Sequence, residues 1–503
     1  MEDRATRIPF GALVFWLTLA GMGCGEDGDA SPEAGASDSM GETQTTGKEE
    51  SPVEDASMAG GAGSGADSMD EDSDPVESST GERPQDGRTF TIDEATLPFE
   101  ALEGIESDRW TGVLDGAGYR IEVPTEWNGI LVMYAHGYVG TGEALRVSTP
   151  PIREHLIEQG YAWAASSYSR NYYDVRAGVE DTNALALAFT EIAADNGRML
   201  DEPVKRYLMG HSMGGHVTGA AIEKEAMETA ANQVTYAAAL PMCGVMGDLE
   251  LFNYFAAYHL AAQHLAGTPV AMTPEDFMAV RMETQDALFT EYPTMTTAAG
   301  DQLKMIVQNL TGGARPLFDE GFAARTWQDA VWGTFGRDGT INGILELPVV
   351  DTRMVEYQLD DDPALSEEEE KFNAEVARAE PAPEPNPLRE DGVRWIPVIH
   401  GEIDIPVLSL HTLGDLFVPF HMQQIYRRRV DEMGNGEHLV QRAIRGSAHC
   451  GFSQAEQVAA FDALAAWEQD GVKPEGDDVL DPEVVSAADY GCRFTDNGAP
   501  ACP

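Results

Sequence analysis

Short apolar segments typical of β-strands alternate along the chain with longer segments of helical periodicity. The strand-like runs are 119–123, 130–135, 161–167, 206–209, 234–240 and 405–410. The helical segments are 144–159 (a loop followed by a helix), 182–195 and 214–230. The first two strands are predicted to be neighbours around a turn at 126–129. This alternation predicts an α/β fold with a mainly parallel sheet and helices on both faces.

A long interruption separates the early strands from the last one. Residues 243–401 contain helical stretches at 249–265, 274–289 and 301–310, and an acidic, proline-rich run at 360–391. We expect an inserted helical cap at 243–401, within a catalytic domain formed by 89–242 and 402–475. No repeat of 20–50 residues is visible, which argues against a solenoid or propeller.

The N-terminus has the pattern of an export signal. Arg4 and Arg7 precede an apolar stretch, 8–20, that is shorter than the ~20 residues of a membrane span. The stretch ends in small residues before Cys24, which resembles a bacterial lipoprotein cleavage site. We expect a signal peptide at 1–23 and lipid on Cys24. Such sites usually carry Leu where Gly21 stands, so plain secretion and an uncleaved anchor remain alternatives.

The charge of the chain is strongly negative. The 503 residues include 86 acidic and 32 basic side chains, for a net charge of −54. Nucleic-acid binding and attraction to anionic lipids both require clustered Lys and Arg, so this balance argues against them. Hydrophobic residues make up 43% of the chain, enough for a sizeable core.

Part of the charge belongs to a segment without a core. Residues 24–88 are rich in Gly, Ser, Thr, Asp and Glu, which predicts a disordered linker. Residues 25–90 contain 18 acidic and 3 basic residues, a net of −15, which leaves −39 elsewhere. Only 6 of the 32 basic residues are Lys. An acidic, Lys-poor surface suits a saline environment, although genomic base composition also favours Arg.

The sharpest local motif is the G-x-S-x-G pattern around Ser212. Residues 207–215 read Tyr-Leu-Met-Gly-His-Ser-Met-Gly-Gly, between a predicted strand and a predicted helix. Such a turn exposes the Ser hydroxyl above the sheet, and the glycines remove side chains that would collide across it. Gly is common here, 51 of 503 residues, so the pattern alone could be a plain turn. Its strand–turn–helix setting favours a nucleophile, with the helix N-terminus facing a developing oxyanion.

At this point the sequence resembles the α/β-hydrolase superfamily over about residues 110–470. The resemblance implies a Ser, an acid and a His in that chain order. It also implies an oxyanion donor on a loop after an early strand, where His136-Gly137-Tyr138 follows 130–135. The donors would be the N–H groups of Met213 and of Tyr138, with Gly137 as the rival of Tyr138. We assign His136 a loop-orienting role.

The resemblance implies an acid after a late strand and a His on a loop before the last helix. Asp415 follows the strand 405–410, at the sheet edge where open α/β sheets place their sites. Asp404 precedes that strand, and Asp431 lies in a probable helix, so both are weaker candidates. His449 precedes a helical segment at 454–467 and is the predicted base. His211 lies beside Ser212, but no paired ligand motif accompanies it, so we predict neither a metal site nor a cofactor.

The cysteines suggest two bridges. Apart from Cys24 the chain contains four, which allow three connectivities. Cys492 and Cys502 could close a small loop in the tail 476–503, which leaves Cys243 and Cys450 for a bridge beside His449. The alternative is two free thiols. Secreted tannases and feruloyl esterases similarly join the neighbours of their Ser and His, but this chain has His at 211 instead of Cys.

Three functions compete at this stage. The first is an exported serine esterase acting on a small-molecule or polymer-derived ester. The second is a peptidase or amidase resembling prolyl-peptidase-like enzymes, because the same triad cleaves both bonds. The third is a surface binding protein without turnover, against which the filled triad positions argue. A lipase is disfavoured because the cap has no long apolar lid. The oligomeric state is left open.

Overall fold

The computed structural model describes residues 87–140, 142–335, 349–389, 392–496 and 502. The predicted signal peptide, Cys24 and most of the predicted linker lie outside these residues. No helix in the described ranges is both long enough and apolar enough to cross a membrane.

Eight strands form one sheet that crosses the whole domain. The strands of the chain are β1 (Thr91–Ile92), β2 (Ser107–Leu114), β3 (Ala117–Pro124), β4 (Ile130–Ala135), β5 (Ala144–Leu145), β6 (Ala162–Ser166), β7 (Lys205–His211), β8 (Ala238–Met242), β9 (Phe289–Glu291), β10 (Met295–Thr296), β11 (Val407–Thr412) and β12 (Leu439–Ile444). The order in the large sheet is β2-β3-β6-β4-β7-β8-β11-β12. In this sheet β3 pairs antiparallel with both β2 and β6. The strands β6, β4, β7, β8, β11 and β12 are parallel to one another.

Thirteen helices are described around and beyond this sheet. They are α1 (Arg153–Glu158), α2 (Val175–Asp195), α3 (Met213–Ala221), α4 (Lys224–Thr229), α5 (Glu250–Ala266), α6 (Pro274–Leu288), α7 (Ala298–Leu310), α8 (Phe318–Ala323), α9 (Arg325–Gly333), α10 (Glu367–Glu375), α11 (His421–Glu432), α12 (Gln454–Asp470) and α13 (Pro482–Val485). Helices α5 to α10 lie in the stretch predicted as a cap, between β8 and β11.

Both faces of the sheet are buried, as strand β4 shows. Its odd-numbered residues Leu131, Met133 and Ala135 pack in one core cluster with α2 and α3. Its even-numbered residues Ile130, Val132 and Tyr134 pack in a second core cluster with α1 and α12. Because successive side chains of a strand point to opposite faces, this split places helices on both sides of the sheet, as the alternation predicted.

Two sequence-based expectations about the sheet and its helices were wrong, and two strands were missed. Strand β3 does not pair with β4; it lies between β2 and β6. The predicted helix 214–230 is two helices, α3 and α4, separated by extended backbone at Glu223 (φ −70°, ψ 145°). The Glu223 carboxylate accepts the N–H groups of Gly401 and Glu402 at 2.9 and 3.0 Å. Strands β2 and β12 were not anticipated.

Four histidines with strongly lowered pKa values are expected to make the fold sensitive to acid. Burial lowers the pKa to about 4 for His211 and His411, and to about 3 for His259 and His421. Each therefore stays neutral in the folded chain at pH 5, while the unfolded chain binds a proton at each. Two buried carboxyls act in the opposite sense, because burial raises the pKa of Asp181 to about 6 and of Glu223 to about 7.

The sum of these shifts predicts acid lability. Near pH 5, unfolding lets the four histidines bind about four protons and releases about two from the two carboxyls, so the chain takes up about two protons in all. Stability should fall by about 2 to 3 kcal/mol between pH 6 and pH 5. The melting temperature, followed by circular dichroism across pH 7 to 5, checks this. His259→Gln should flatten the slope by about one proton, and a melting temperature that stays constant or rises toward pH 5 would contradict the assignment.

Candidate active site

Ser212 stands on a tight turn between β7 and α3. Its backbone has φ 57° and ψ −120°, a conformation that L-residues rarely adopt. The two motif glycines make the turn possible. A Cβ on Gly210 would lie 2.3 Å from the Gly214 carbonyl oxygen, and a Cβ on Gly214 would lie 2.0 Å from that of Ala135. The G-x-S-x-G spacing is thus a steric requirement of this turn.

The three residues proposed as a triad lie in one hydrogen-bonded line. His449 Nε2 lies 2.8 Å from Ser212 Oγ, and His449 Nδ1 lies 2.6 Å from Asp415 Oδ2. Asp415 is fully buried, and its Oδ1 accepts the backbone N–H groups of Phe417 and Val418 at 2.9 and 3.0 Å. These two bonds fix the carboxylate, which in turn fixes the imidazole with Nε2 facing the hydroxyl.

The alternative acids lie elsewhere. Asp404 is exposed before β11. Asp431 lies on α11 and pairs with the Arg427 guanidinium at 2.5 Å. Both positions agree with the sequence-based preference for Asp415.

A buried arginine supports the acid loop from the cap side. Arg315, between α7 and α8, donates from Nε to the Leu413 carbonyl at 2.7 Å and from a terminal nitrogen to Thr311 Oγ1 at 3.1 Å. Burial lowers the pKa of this guanidinium to about 10, with Asp415 and Tyr254 acting against that shift. Arg315 therefore remains charged at neutral pH and ties the cap to the residues before Asp415. No sequence motif indicated it.

The loop after β4 lies against Ser212. A Cβ on Gly137 would lie 3.3 Å from Ser212 Cβ, a tight contact, so this backbone passes close to the Ser212 side chain. His136 is buried, with Nδ1 2.6 Å from the Gly137 carbonyl oxygen and Nε2 3.0 Å from that of Ser167. Met213 is the first residue of α3, where backbone N–H groups have no partner within the helix. Tyr138, Gly137 and Met213 stay the predicted oxyanion donors.

The other histidines near Ser212 are held by different partners. His211 Nδ1 lies 3.2 Å from Tyr134 Oη and its Nε2 lies 3.1 Å from Gln457 Oε1. His411 is buried with Nε2 2.7 Å from the Val418 carbonyl oxygen. Burial lowers the pKa of both rings to about 4, which makes them weak bases, and the nitrogens named here face partners other than Ser212 Oγ.

Both predicted disulfides are present. Cys243, directly after β8, is bonded to Cys450, with 5.3 Å between their Cα atoms. Both residues have positive φ, 43° and 55°. The second bridge joins Cys492 to Cys502. The grouping of Cys243, Cys450 and His449 is compact, but its sulfurs are bonded to each other and His449 faces Ser212, so it is unsuited to a metal ion.

Two aromatic side chains border His449, and sequence reasoning found neither. The Trp327 ring centroid, from α9, lies 5.5 Å from that of His449, and the Phe417 centroid lies 5.7 Å away. Phe417 sits two residues after Asp415, whereas Trp327 comes from the middle of the predicted cap. The helix α9 carries two tryptophans, Trp327 and Trp332, and nothing in its sequence signals which of them approaches a site distant in sequence.

Comparison with known proteins gives distant likenesses. No protein-family model matches the chain. A 64-residue stretch is 31% identical to o-phthalyl amidase from Xanthobacter agilis, covering 13% of this chain and 14% of the amidase.

Among solved structures, feruloyl esterase B from Aspergillus oryzae aligns with TM-score 0.44 and 14% identity, over 77% of this chain and 86% of the esterase. Pyrococcus horikoshii acylaminoacyl peptidase aligns with TM-score 0.35 and 12% identity, over 75% of this chain and 44% of the peptidase.

The architecture itself is more specific than these likenesses. The sheet order places β7, which carries the nucleophile turn, at the centre between β4 and β8, with one antiparallel strand near the edge. The proposed acid Asp415 follows β11 and the proposed base His449 follows β12, in the chain order Ser, Asp, His. This chain has the α/β-hydrolase fold.

Proposed function

We propose that the protein is a serine hydrolase that cleaves carboxylic esters through an acyl-enzyme. The observation that carries the proposal is the line from Ser212 Oγ through His449 to the buried Asp415, at 2.8 and 2.6 Å. Distances of this size are those at which a base can take the hydroxyl proton as the oxygen attacks a carbonyl. Nothing in this reaction calls for a metal or an organic cofactor.

The steps follow from these positions. His449 takes the Ser212 proton while Oγ adds to the substrate carbonyl, and Asp415 stabilises the resulting imidazolium. The N–H groups of Met213 and of Tyr138 or Gly137 receive the oxyanion, each worth roughly 3 kcal/mol in comparable sites. His449 then protonates the leaving alcohol, which departs. Water, deprotonated by the same imidazole, then adds to the acyl carbon, the bond from that carbon to Ser212 Oγ breaks, and His449 returns the proton to Oγ as the acid departs.

Amide hydrolysis is the second candidate. It is favoured by the 31% identity over 64 residues to an o-phthalyl amidase, and the same triad chemistry serves both bonds. We rank ester hydrolysis first because an alcohol leaves more readily than an amine from the same tetrahedral intermediate.

We further propose that the enzyme works outside the cytoplasm. Two disulfides support this, since such bonds persist mainly in oxidising compartments. Attachment through a lipidated Cys24 and a spacer at 24–88 would hold the enzyme at a membrane surface. The net charge of −54 would repel polyanionic substrates.

Reaction with a fluorophosphonate tests the nucleophile directly. We expect stoichiometric labelling of the full chain, with the tryptic peptide modified at Ser212, because the triad activates this hydroxyl. An ester and an anilide that share one acyl group should then separate the two candidates. Preferred cleavage of the ester supports the first candidate, and an equal or higher kcat/KM on the anilide would favour the second. Absence of labelling would refute both.

A further inference from the structure

Trp327 and Phe417 form an aromatic pair beside the proposed base. Both rings stand nearly perpendicular to the His449 imidazole, at 78° and 79°. They lie within 25° of parallel to each other, with centroids 6.4 Å apart. One ring comes from α9 and the other from the acid loop, so two separate parts of the chain converge on one side of the imidazole.

The setting of these rings differs from that of core aromatics. Trp327 and Phe417 are both partly exposed. Trp332, on the same helix as Trp327, is fully buried and donates its indole N–H to Gln328 at 3.1 Å. Two partly exposed aromatic rings at a site leave apolar area open, which favours contact with a ligand.

Phe417 is also held firmly in place. Its N–H donates to Asp415 Oδ1 at 2.9 Å, and its ring packs against that of Phe255, with centroids 5.5 Å apart. A fixed ring costs little entropy when a second ring packs on it, so this position is suited to recognition.

The proposed reaction defines what must approach these rings. His449 delivers its proton to the leaving group, so the leaving oxygen has to come within about 3 Å of Nε2. A substituent attached to that oxygen is then within reach of rings whose centroids lie 5.5 and 5.7 Å from the imidazole.

We infer that Trp327 and Phe417 form a leaving-group subsite for a neutral aromatic alcohol, so that the substrate class is esters of aryl-methyl alcohols or phenols. The inference rests on the proposed function. Offset or edge-to-face ring contacts favour an aromatic over a saturated ring of similar size. The strongly negative chain adds a preference against anionic rings.

Two esters with matched alcohols test the subsite. Benzyl acetate and cyclohexylmethyl acetate share the acyl group and have primary alcohols of similar size. We expect kcat/KM for the benzyl ester to exceed that for the cyclohexylmethyl ester about fivefold to tenfold in the wild type. Trp327→Leu and Phe417→Leu keep an apolar side chain and should each reduce that ratio toward one.

Thr326→Ala is the matched control, because Thr326 is the exposed neighbour of Trp327 on α9. This variant should keep the wild-type ratio. A ratio near one in the wild type, or an unchanged ratio in both leucine variants, would overturn the subsite. Wild-type hydrolysis of both esters with labelling at Ser212 would, in that case, leave the proposed function standing. Failure to label or to cleave any ester would instead remove the proposed function itself.

Discussion

Replacing Ser212 by alanine should lower kcat for ester hydrolysis about a millionfold. The substitution removes the oxygen that attacks the carbonyl and leaves the rest of the line in place, since His449 is still held by Asp415 at 2.6 Å. The fold should persist, because the steric demands of the turn fall on Gly210 and Gly214 and not on the hydroxyl. Steady-state kinetics on purified protein, with melting temperature measured alongside, gives the result.

Variants at His449 and at a distant serine test whether the loss of activity belongs to the proposed triad. His449→Ala should cost about as much as Ser212→Ala, and the double variant should cost little more, because the two groups act as one unit. Ser486→Ala changes the same residue type at an exposed position directly after α13, away from the site, and should keep full activity. Retention of a substantial fraction of kcat by Ser212→Ala would refute the mechanism.

The nucleophile turn was predictable from the sequence because its chemistry is local. The glycines at 210 and 214 are demanded by carbonyl groups 2.3 and 2.0 Å from a hypothetical Cβ, and that demand leaves a fixed spacing in the chain. Asp415 was identified because it follows the predicted strand 405–410, at the end of the strand where such sites form. His449 was identified from the chain order that the resemblance implies and from its place before the helical segment 454–467. Sequence reasoning therefore located the residues that the fold brings together.

The parts that failed depend on contacts distant in sequence. Strand β2 is an edge strand with a weak burial pattern, so its apolar periodicity is faint. Strand β12 carries Gln441 and Arg442 between apolar ends, which weakens the same signal. The pattern of apolar residues within β3 does not determine which strands lie beside it, so the sequence did not predict its pairing with β2 and β6. At the break between α3 and α4, Glu223 has extended backbone and its carboxylate binds the N–H groups of Gly401 and Glu402, partners distant in sequence.

The surroundings of the site were hidden for the same reason. Arg315 and Trp327 come from the stretch between β8 and β11, and each reaches the acid or the base only through the packing of that stretch. Neither residue type is unusual on a helix or loop. The sequence therefore indicated the proposed triad but not the residues that surround it. In our proposal one of these, Trp327, takes part in selecting the substrate.

Removing the Cys243–Cys450 bridge should impair both stability and turnover. The bond spans a sequence separation of 207, for which the chain-entropy relation gives about 5 kcal/mol, an upper figure for a real bridge. Both cysteines hold positive φ, 43° and 55°, next to elements that position the triad. Without the bond the His449 loop should sample other conformations, and kcat should fall about tenfold or more, as displaced catalytic groups do. Alanine is used in the double variant Cys243→Ala/Cys450→Ala because serine would place an unpaired hydroxyl at the fully buried position 243.

The second bridge supplies the matched control for that prediction. Cys492 and Cys502 are separated by 10 residues, for which the same relation gives about 3 kcal/mol. None of the described residues of this loop, 492–496 and 502, makes one of the hydrogen bonds that hold Ser212, His449 and Asp415. We therefore expect Cys492→Ala/Cys502→Ala to lower the melting temperature less and to leave kcat unchanged. Thermal unfolding and kcat, measured on both double variants below their melting temperatures, separate the two effects. If kcat stays at the wild-type value without the Cys243–Cys450 bridge, the bond stabilises the fold but does not position His449, and the hydrogen bond to Asp415 alone suffices to hold the imidazole.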